Sequence, residues 1–430
     1  MSKLRWTLKQ LYQQIWFPVT VYGLIGLFGA LIARLIGPYL PKTASSLVEA
    51  QAVDSLLNIL ANSMLTVTTF SLSIMTAAYA FASSSATPRA FRLLQADRTA
   101  QRVLATFLGA FIFSLVGIIA LEAGYYNGRG RLVLLVLTVG VLALIVTNLI
   151  RWIEQLTRFG QMDDTMDRVE TAAADSLRQR LGDPYLGGRP GQGVPEGSVP
   201  VLAGQVGHIR HIDMAALADA LKGHPTTLSL AVLPGSLVYP ASPLAYAGDM
   251  PADPEIVAEI RKAIGAAIVI GPQRDFDQDP RHGLIVLAQI ATRALSPGIN
   301  DPGTAIAVLQ RLTRVLAVWP SLTPADSGLH YPAISVPPLQ VDDCLKDAFG
   351  AIGRESAGIV EVTSRLMESL QGLTQTDPAV FGAASAALAK EVNARAQIAL
   401  SLDADKDQVA ALAESVRSAA DTAPIPLRSR

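Results

Sequence analysis

Hydrophobic and polar positions are segregated along this chain before they alternate within it. As far as residue 160, charged residues gather at intervals and leave four long stretches free of charge: Phe17–Ala33 (17 residues), Ser55–Pro88 (34), Val103–Leu121 (19) and Leu132–Ile150 (19). A hydrocarbon core of ~30 Å takes about 20 residues of helix to cross. Each stretch is long enough, the first with help from its flanks. The pattern predicts four transmembrane helices, at about 17–37, 59–86, 103–124 and 132–152. The long basic segment before the first stretch, and Arg34 and Pro38-Tyr39 after it, favour a span over a signal peptide.

Past residue 160 the periodicity changes. Leu156, Met162, Met166 and Val169 mark a helix over 154–181 that carries the chain away from the last span. Gly182–Pro200 then holds six Gly and four Pro in 19 residues, the composition of a flexible loop or linker. VLAGQVGHIRHID, TLSLAVL and LVYPASPLA read as short strands broken by Gly and Pro, with a short helix at Met214–Leu221. From Pro251 onward helical patterns dominate. Four Asp-Pro pairs, at Asp253, Asp279, Asp301 and Asp377, each precede a helix, with Asp as cap and Pro at the first helical position. Residues 342–420 suit two or three packed helices.

The expected fold is therefore an α-helical membrane domain of four spans plus an α+β cytoplasmic domain, the latter with a small β-barrel or sandwich module and a helical C-terminal part. Its divisions are 1–160 (transmembrane), 161–250 (connecting helix, linker and β module), 251–420 (mainly helical) and a 421–430 tail.

Charge sets the orientation. The overall net of −1 conceals a basic half and an acidic half. Residues 1–160 hold 13 Lys+Arg against 5 Asp+Glu, a net of +8, and residues 161–430 hold 22 against 31, a net of −9. Beside the spans, nine Lys/Arg fall on the side of the N-terminus, including Arg89, Arg92, Arg98 and Arg102, and four on the other. By the positive-inside rule both termini are cytoplasmic, which predicts a multi-pass protein of the inner (plasma) membrane. The four arginines satisfy that rule, meet lipid headgroups or attract anions. Trp16, Tyr39, Tyr125, Tyr126 and Trp152 stand at span ends, where interfacial aromatics belong. A single cysteine, Cys344, excludes an intrachain disulfide and a Cys-rich zinc site, and the five His show no HExxH spacing. No cofactor or metal is expected, and the charge balance gives no reason to expect nucleic acid.

The second span is far more hydroxylated than its neighbours. Asn62, Thr66, Thr69, Ser73, Thr76, Ala80 and Ser83 recur at alternating spacings of four and three, which places them on one helical stripe. Another face carries Leu60, Met64, Val67, Ile74 and Phe81. Small and hydroxylated residues let membrane helices approach closely and share hydrogen bonds. They equally line hydrated pathways when several copies surround an axis. No Asp, Glu, Lys or Arg lies within the four uncharged stretches, which argues against a proton relay or a charge-paired carrier.

Residues 272–305, PQRDFDQDPRHGLIVLAQIATRALSPGINDPGTA, hold the most specific motif. Here the chain resembles a bacterial membrane family known as domain of unknown function 2254. The likeness is sharpest at Arg293–Ala305 and extends through Gln278-Asp279, Gly283, Phe70-Ser71 and Ala82–Arg89. His282 stands in place of an aromatic and Gly303 in place of a Thr. The resemblance covers most of residues 10–320 and implies a multi-pass membrane protein with a cytoplasmic domain; it supplies no reaction and no ligand. Ser296-Pro297-Gly298 ends one helix and Asn300-Asp301-Pro302 starts the next. Arg274, Asp279, Arg293, Ser296, Asn300, Asp301 and Thr304 form either a fixed helix corner or a polar site for a small anion, a metal or a nucleotide fragment. No nucleophile–base pair, P-loop or Rossmann fingerprint is present, so no enzyme activity is expected.

Three function classes follow. The first is an oligomeric channel or transport protein, with the second span lining a path and the cytoplasmic module regulating it. The second is a membrane-anchored sensor or scaffold without a pore, and the third a membrane-bound enzyme. The expected partners are the lipid bilayer, further copies of the chain, and a small ion or ligand.

Overall fold

A computed structural model of the chain describes residues 50–421 apart from 86, 91, 92, 94–97, 127, 159, 160, 192 and 320–327, together with isolated helical residues between 17 and 32. The first expected span and the tail thus lie largely outside the described residues. The chain divides into two compact units at Thr165/Met166.

The first unit contains α1 (Ala50–Ser85), α2 (Arg98–Glu122) and α3 (Gly128–Arg158). Among the described residues, three helices are long and apolar enough to cross a membrane: Gln51–Ala80, Ala100–Glu122 and Arg129–Leu156. These correspond to the second, third and fourth expected spans. Val53, Leu57, Leu60, Met64 and Met75 from one face of α1 meet Val103, Leu104, Phe107 and Phe113 of α2 and Leu134, Ile145 and Trp152 of α3. Gly117 permits the close approach, since a Cβ there would lie 3.0 Å from Leu57 Cδ1. Trp152 is enclosed in this cluster and Tyr126 in a neighbouring one, so neither serves as an exposed interfacial aromatic; Tyr125 is exposed.

The second unit begins on α4 (Met162–Gly182). Its strands are β1 (Arg189–Pro190), β2 (Val199–Leu202), β3 (Gly207–Ile212), β4 (Thr227–Leu230), β5 (Leu237–Val238), β6 (Pro243–Gly248), β7 (Ile268–Gly271) and β8 (Ile334–Val336). They form a mixed five-stranded sheet in the order β1-β8-β4-β6-β2 and an antiparallel three-stranded sheet in the order β5-β3-β7. Neither sheet closes, so the expected barrel is not formed. Helices α5 (Met214–Ala220) and α6 (Pro254–Ala267) supply Met214, Leu217, Ile260 and Ile264 to the core shared with Ile209, Leu228, Leu244 and Ile334. Apolar faces that a barrel would turn on itself are covered by helices instead.

Two further differences concern continuity. The Gly/Pro stretch at 182–200 is pinned: β1 pairs with β8 in parallel, and Gly191 N donates to Val336 O at 2.8 Å. β7 and β8 come from the segment expected to be helical, so residues 161–250 and 251–420 build one unit. A strand of three or four residues leaves too short an alternation to be seen beside a helical pattern.

All four Asp-Pro starts are caps. Asp253 accepts from Glu255 N, Asp279 from Arg281 N and His282 N, Asp301 from Thr304 N and Asp377 from Val380 N, each with Pro in the first turn. They open α6, α7 (Pro280–Ala294), α8 (Pro302–Leu316) and α12 (Pro378–Ala399). Before α12 run α9 (Val341–Leu345), a π-helical turn (Lys346–Gly350), α10 (Ala351–Glu355) and α11 (Val360–Thr376), and after it α13 (Asp403–Asp421). Leu366, Leu370, Phe381, Leu388, Val409 and Val416 are buried in this helical part.

Candidate functional site

Two places concentrate polar groups, one in each unit. In the membrane unit it is the outward face of α1. Asn62, Thr66, Thr69, Ser73, Thr76 and Ala80 are all exposed, whereas Leu57, Leu60, Met64, Ser71 and Met75 are buried. At 3.6 residues per turn the two sets lie on opposite sides of the helix. The stripe therefore takes no part in packing among the described helices of its own unit. The opposite face, with Leu60 and Met64 buried and Val67 packed against them, does that work. The Ser83 side chain lies outside the described residues.

The hydroxyls on this face are bonded to their own helix. Thr66 Oγ1 donates to Asn62 O at 3.0 Å, Thr69 Oγ1 to Leu65 O at 2.5 Å, Ser73 Oγ to Thr69 O at 3.0 Å and Thr76 Oγ1 to Leu72 O at 2.8 Å. Their protons are spent inward and their oxygens present lone pairs outward. The outward face of α3 is more apolar, with Val136, Val139, Leu142, Leu144, Val146 and Ile150 exposed beside Thr147, while on α1 Leu56, Ile59, Leu65, Phe70 and Leu72 are exposed on either side of the polar stripe. Of the membrane-surface arginines, Arg89 and Arg102 are exposed, while Arg92 and the Arg98 side chain lie outside the described residues.

In the second unit the polar set expected around 274–304 is divided between the two ends of α7, some 15 residues apart. At the N-terminal end Arg274 forks onto Asp279, Nε to Oδ2 at 2.6 Å and Nη2 to Oδ1 at 2.9 Å. The carboxylate also accepts the amides of Arg281 and His282 at 3.1 and 3.2 Å and is only 2% exposed. Burial pushes its pKa up, against the pull of Arg274. The Pro234–Gly235 turn lies against it: a Cβ on Gly235, whose φ is +93°, would sit 2.3 Å from Asp279 Oδ2. Arg281 reaches the next helices, with Nη1 on Asp343 at 2.7 Å and Nε on Asp347 of the π-turn at 2.6 Å. His282, in place of an aromatic, packs against Phe276 with ring centroids 4.4 Å apart and the rings tilted by 53°.

At the C-terminal end the Arg293–Ala305 run is a helix corner. Ser296 Oγ donates to Arg293 O at 2.7 Å, Asn300 N donates to Ser296 O, and Asp301 N donates to Ala294 O. Asn300 takes the left-handed conformation, φ 51°, that asparagine tolerates. Asp301 accepts Thr304 N at 3.0 Å and Thr304 Oγ1 at 2.5 Å, and these bonds hold its carboxyl below the usual range. Arg274 is committed to Asp279 at the other end, so Arg274 and Arg293 do not share a site.

Next to the Asp279 end is a cavity of about 480 Å³ whose polar lining includes Arg180, His208, Arg274, Gln278, Arg281, Gln340 and Asp343, the last paired with Arg281. Gln278 is structural there, its Oε1 accepting Ile212 N at 3.0 Å. His208 Nδ1 lies 3.3 Å from Gly235 O. Arg180, Arg281, Asp343 and Asp347 have no place among the sequence-derived candidates. Arg180 carried a signal: Met166, Val169, Ala173 and Leu177 form the buried stripe of α4, and Arg180 is its next member. A charge on an apolar stripe marks a group that must be answered by something. Among the described residues no cluster of His, Cys, Asp and Glu could hold a metal ion.

A family model described as "Predicted membrane protein (DUF2254)" matches residues 12–372. Two uncharacterized mycobacterial proteins, one from Mycobacterium bovis and one from Mycobacterium tuberculosis H37Rv, are each 29% identical to the chain over 261 residues, 59% of this chain and 49% of theirs. The match spans about half the length of these curated relatives. No solved structure matches the chain.

Proposed function

The chain belongs to the DUF2254 family of predicted membrane proteins, and from that premise we propose that it is an oligomeric channel or transport protein of the inner membrane. In this reading α1 lines a hydrated pathway between copies, both termini are cytoplasmic, and the unit from Met166 onward is a cytoplasmic regulatory module. The reading includes no catalytic step. The observation that carries it is the stripe of Asn62, Thr66, Thr69, Ser73 and Thr76 exposed along α1 between Leu65 and Leu72 on one side and Ile59 and Phe70 on the other, where α3 exposes mainly Val, Leu and Ile. A lipid-facing surface is served by the residues of α3; a face of Asn, Thr and Ser is served by water or by another copy. Because the bonded hydroxyls turn oxygen lone pairs outward, the pathway favours cations over anions.

The test is conductance of the purified, full-length protein in a planar bilayer, with its oligomeric state fixed beforehand by native mass spectrometry. A cation-selective reversal potential is expected, and Thr69→Leu together with Ser73→Leu is expected to reduce the current. An oligomer that passes no ion over a wide range of voltage and pH would rule the pathway out. A second reading, a membrane-anchored ligand sensor without a pore, is favoured by the arginine-lined cavity of the cytoplasmic module.

A further inference from the structure

The cavity beside Asp279 has in its wall a buried charge that, among the described residues, forms no ion pair. Arg180 is 4% exposed. Its Nη2 donates to Pro337 O at 3.2 Å, and its Nη1 is buried without a hydrogen-bond partner. The other two arginines of the cavity differ. Arg274 is held by the fork to Asp279, and Arg281 by Asp343 and Asp347. Among the described residues no carboxylate forms an ion pair with Arg180, and burial, against the pull of Asp183, pushes its pKa down to about 10, which still leaves it charged at neutral pH. Taking a guanidinium out of water without a counter-charge costs several kcal/mol on general grounds. A chain that keeps such a group in the wall of a cavity has a use for it.

We propose that this cavity binds an oxyanion, a carboxylate or phosphate on a small organic body, with Arg180 as its counter-ion. The volume of about 480 Å³ falls among ordinary ligand clefts, which run to roughly 300–1,000 Å³. Arg180 is one of the lining residues, and a guanidinium in the wall attracts an anion in the cavity by its charge. Leu233, Leu237 and Pro280 add apolar wall for the organic part, and the exposed Gln340 stands at the rim. Pro337, which holds Arg180 through its carbonyl, directly follows β8, so the anion site is tied to the end of the second strand of the five-stranded sheet. The proposal stands whether or not the membrane unit conducts.

The test is thermal unfolding of the full chain in detergent. Inorganic phosphate, citrate and glycerol 3-phosphate are added separately, each against sodium chloride of equal ionic strength. A short-chain phosphatidic acid forms a further arm, to separate a lipid headgroup from a soluble anion. The wild type is expected to show a saturable rise in Tm with at least one of these probes, roughly 3–6 °C at tenfold excess over the dissociation constant. Arg180→Met abolishes the rise while unfolding no earlier than the wild type without anion, because a buried charge with no ion pair is gone. Gln340→Glu sits on the exposed rim, leaves the core intact and weakens the rise by placing a negative charge at the entrance. A response to the lipid alone assigns the anion to a headgroup, and a response to the soluble probes assigns it to a metabolite. The proposal fails if no probe exceeds chloride, or if the rise persists unchanged in both variants.

Discussion

The two ends of α7 carry the same two-letter start, Asp-Pro, and have opposite characters. Asp301, at the corner that follows α7, is exposed, and the bonds of its carboxylate reach only as far as Thr304. Asp279, at the beginning of α7, is buried and gathers Arg274, two amides and the Pro234–Gly235 turn. Their carboxyls shift in opposite directions, downward at Asp301 where hydrogen bonds from Thr304 dominate and upward at Asp279 where burial dominates. A conspicuous motif and a chemically demanding site are thus separable within one helix. The corner is self-contained, whereas the Asp279 end is assembled from residues spread between 180 and 347.

The sharpest way to break this comparison is to remove each carboxylate in turn. Asp279→Ala leaves Arg274 and two amides without their acceptor and is expected to cost about 3–5 kcal/mol of unfolding free energy. Asp301→Ala loses an exposed cap and is expected to cost about 1 kcal/mol. Urea unfolding of the two variants measures both, and equal losses would mean that the corner is more than a cap. An effect between these two is expected from Gly235→Ala. It forces a Cβ onto the Asp279 carboxylate at a φ that L residues rarely adopt, for a loss of roughly 1–3 kcal/mol.

The mildest test sharpens the picture of the buried end. Cys344, between Asp343 and Asp347, has its thiol pushed up to about 12, chiefly by burial. The native chain is therefore expected to resist alkylation by iodoacetamide at neutral pH and to react once unfolded in denaturant. The sign of its pH linkage follows from the raised pKa. The folded state keeps the proton that the unfolded chain gives up near the ordinary thiol value, about 8.5. Stability is then full below that pH and falls as pH rises toward about 12, with the fall absent in Cys344→Ala.

Sequence pattern disclosed those features that reside in a few consecutive residues. Three of the four uncharged stretches correspond to α1, α2 and α3, and the four Asp-Pro pairs name their helix starts to the residue. β1, β7 and β8 were not legible, because strands of two to four residues carry no measurable alternation and two of them join in parallel across more than 140 residues. The candidate site was half legible for the same reason. The Arg274–Asp279 fork spans five residues and was within reach of spacing arguments. The cavity was not, because it brings Arg180, His208 and Arg281 together from positions a hundred residues apart. The orientation of the hydroxyl stripe needed a bundle to define inside and outside.

The inward-turned hydroxyls of α1 also bear on biosynthesis. A helix that exposed free donors would resist transfer into hydrocarbon until a partner arrived to accept them. With their protons already given to carbonyls one turn back, Thr66, Thr69, Ser73 and Thr76 make α1 compatible with either solvent. In the proposed oligomer, a newly made chain would settle in lipid as a single copy and bring the same face against water or a neighbour afterwards, so that insertion and assembly are separate events.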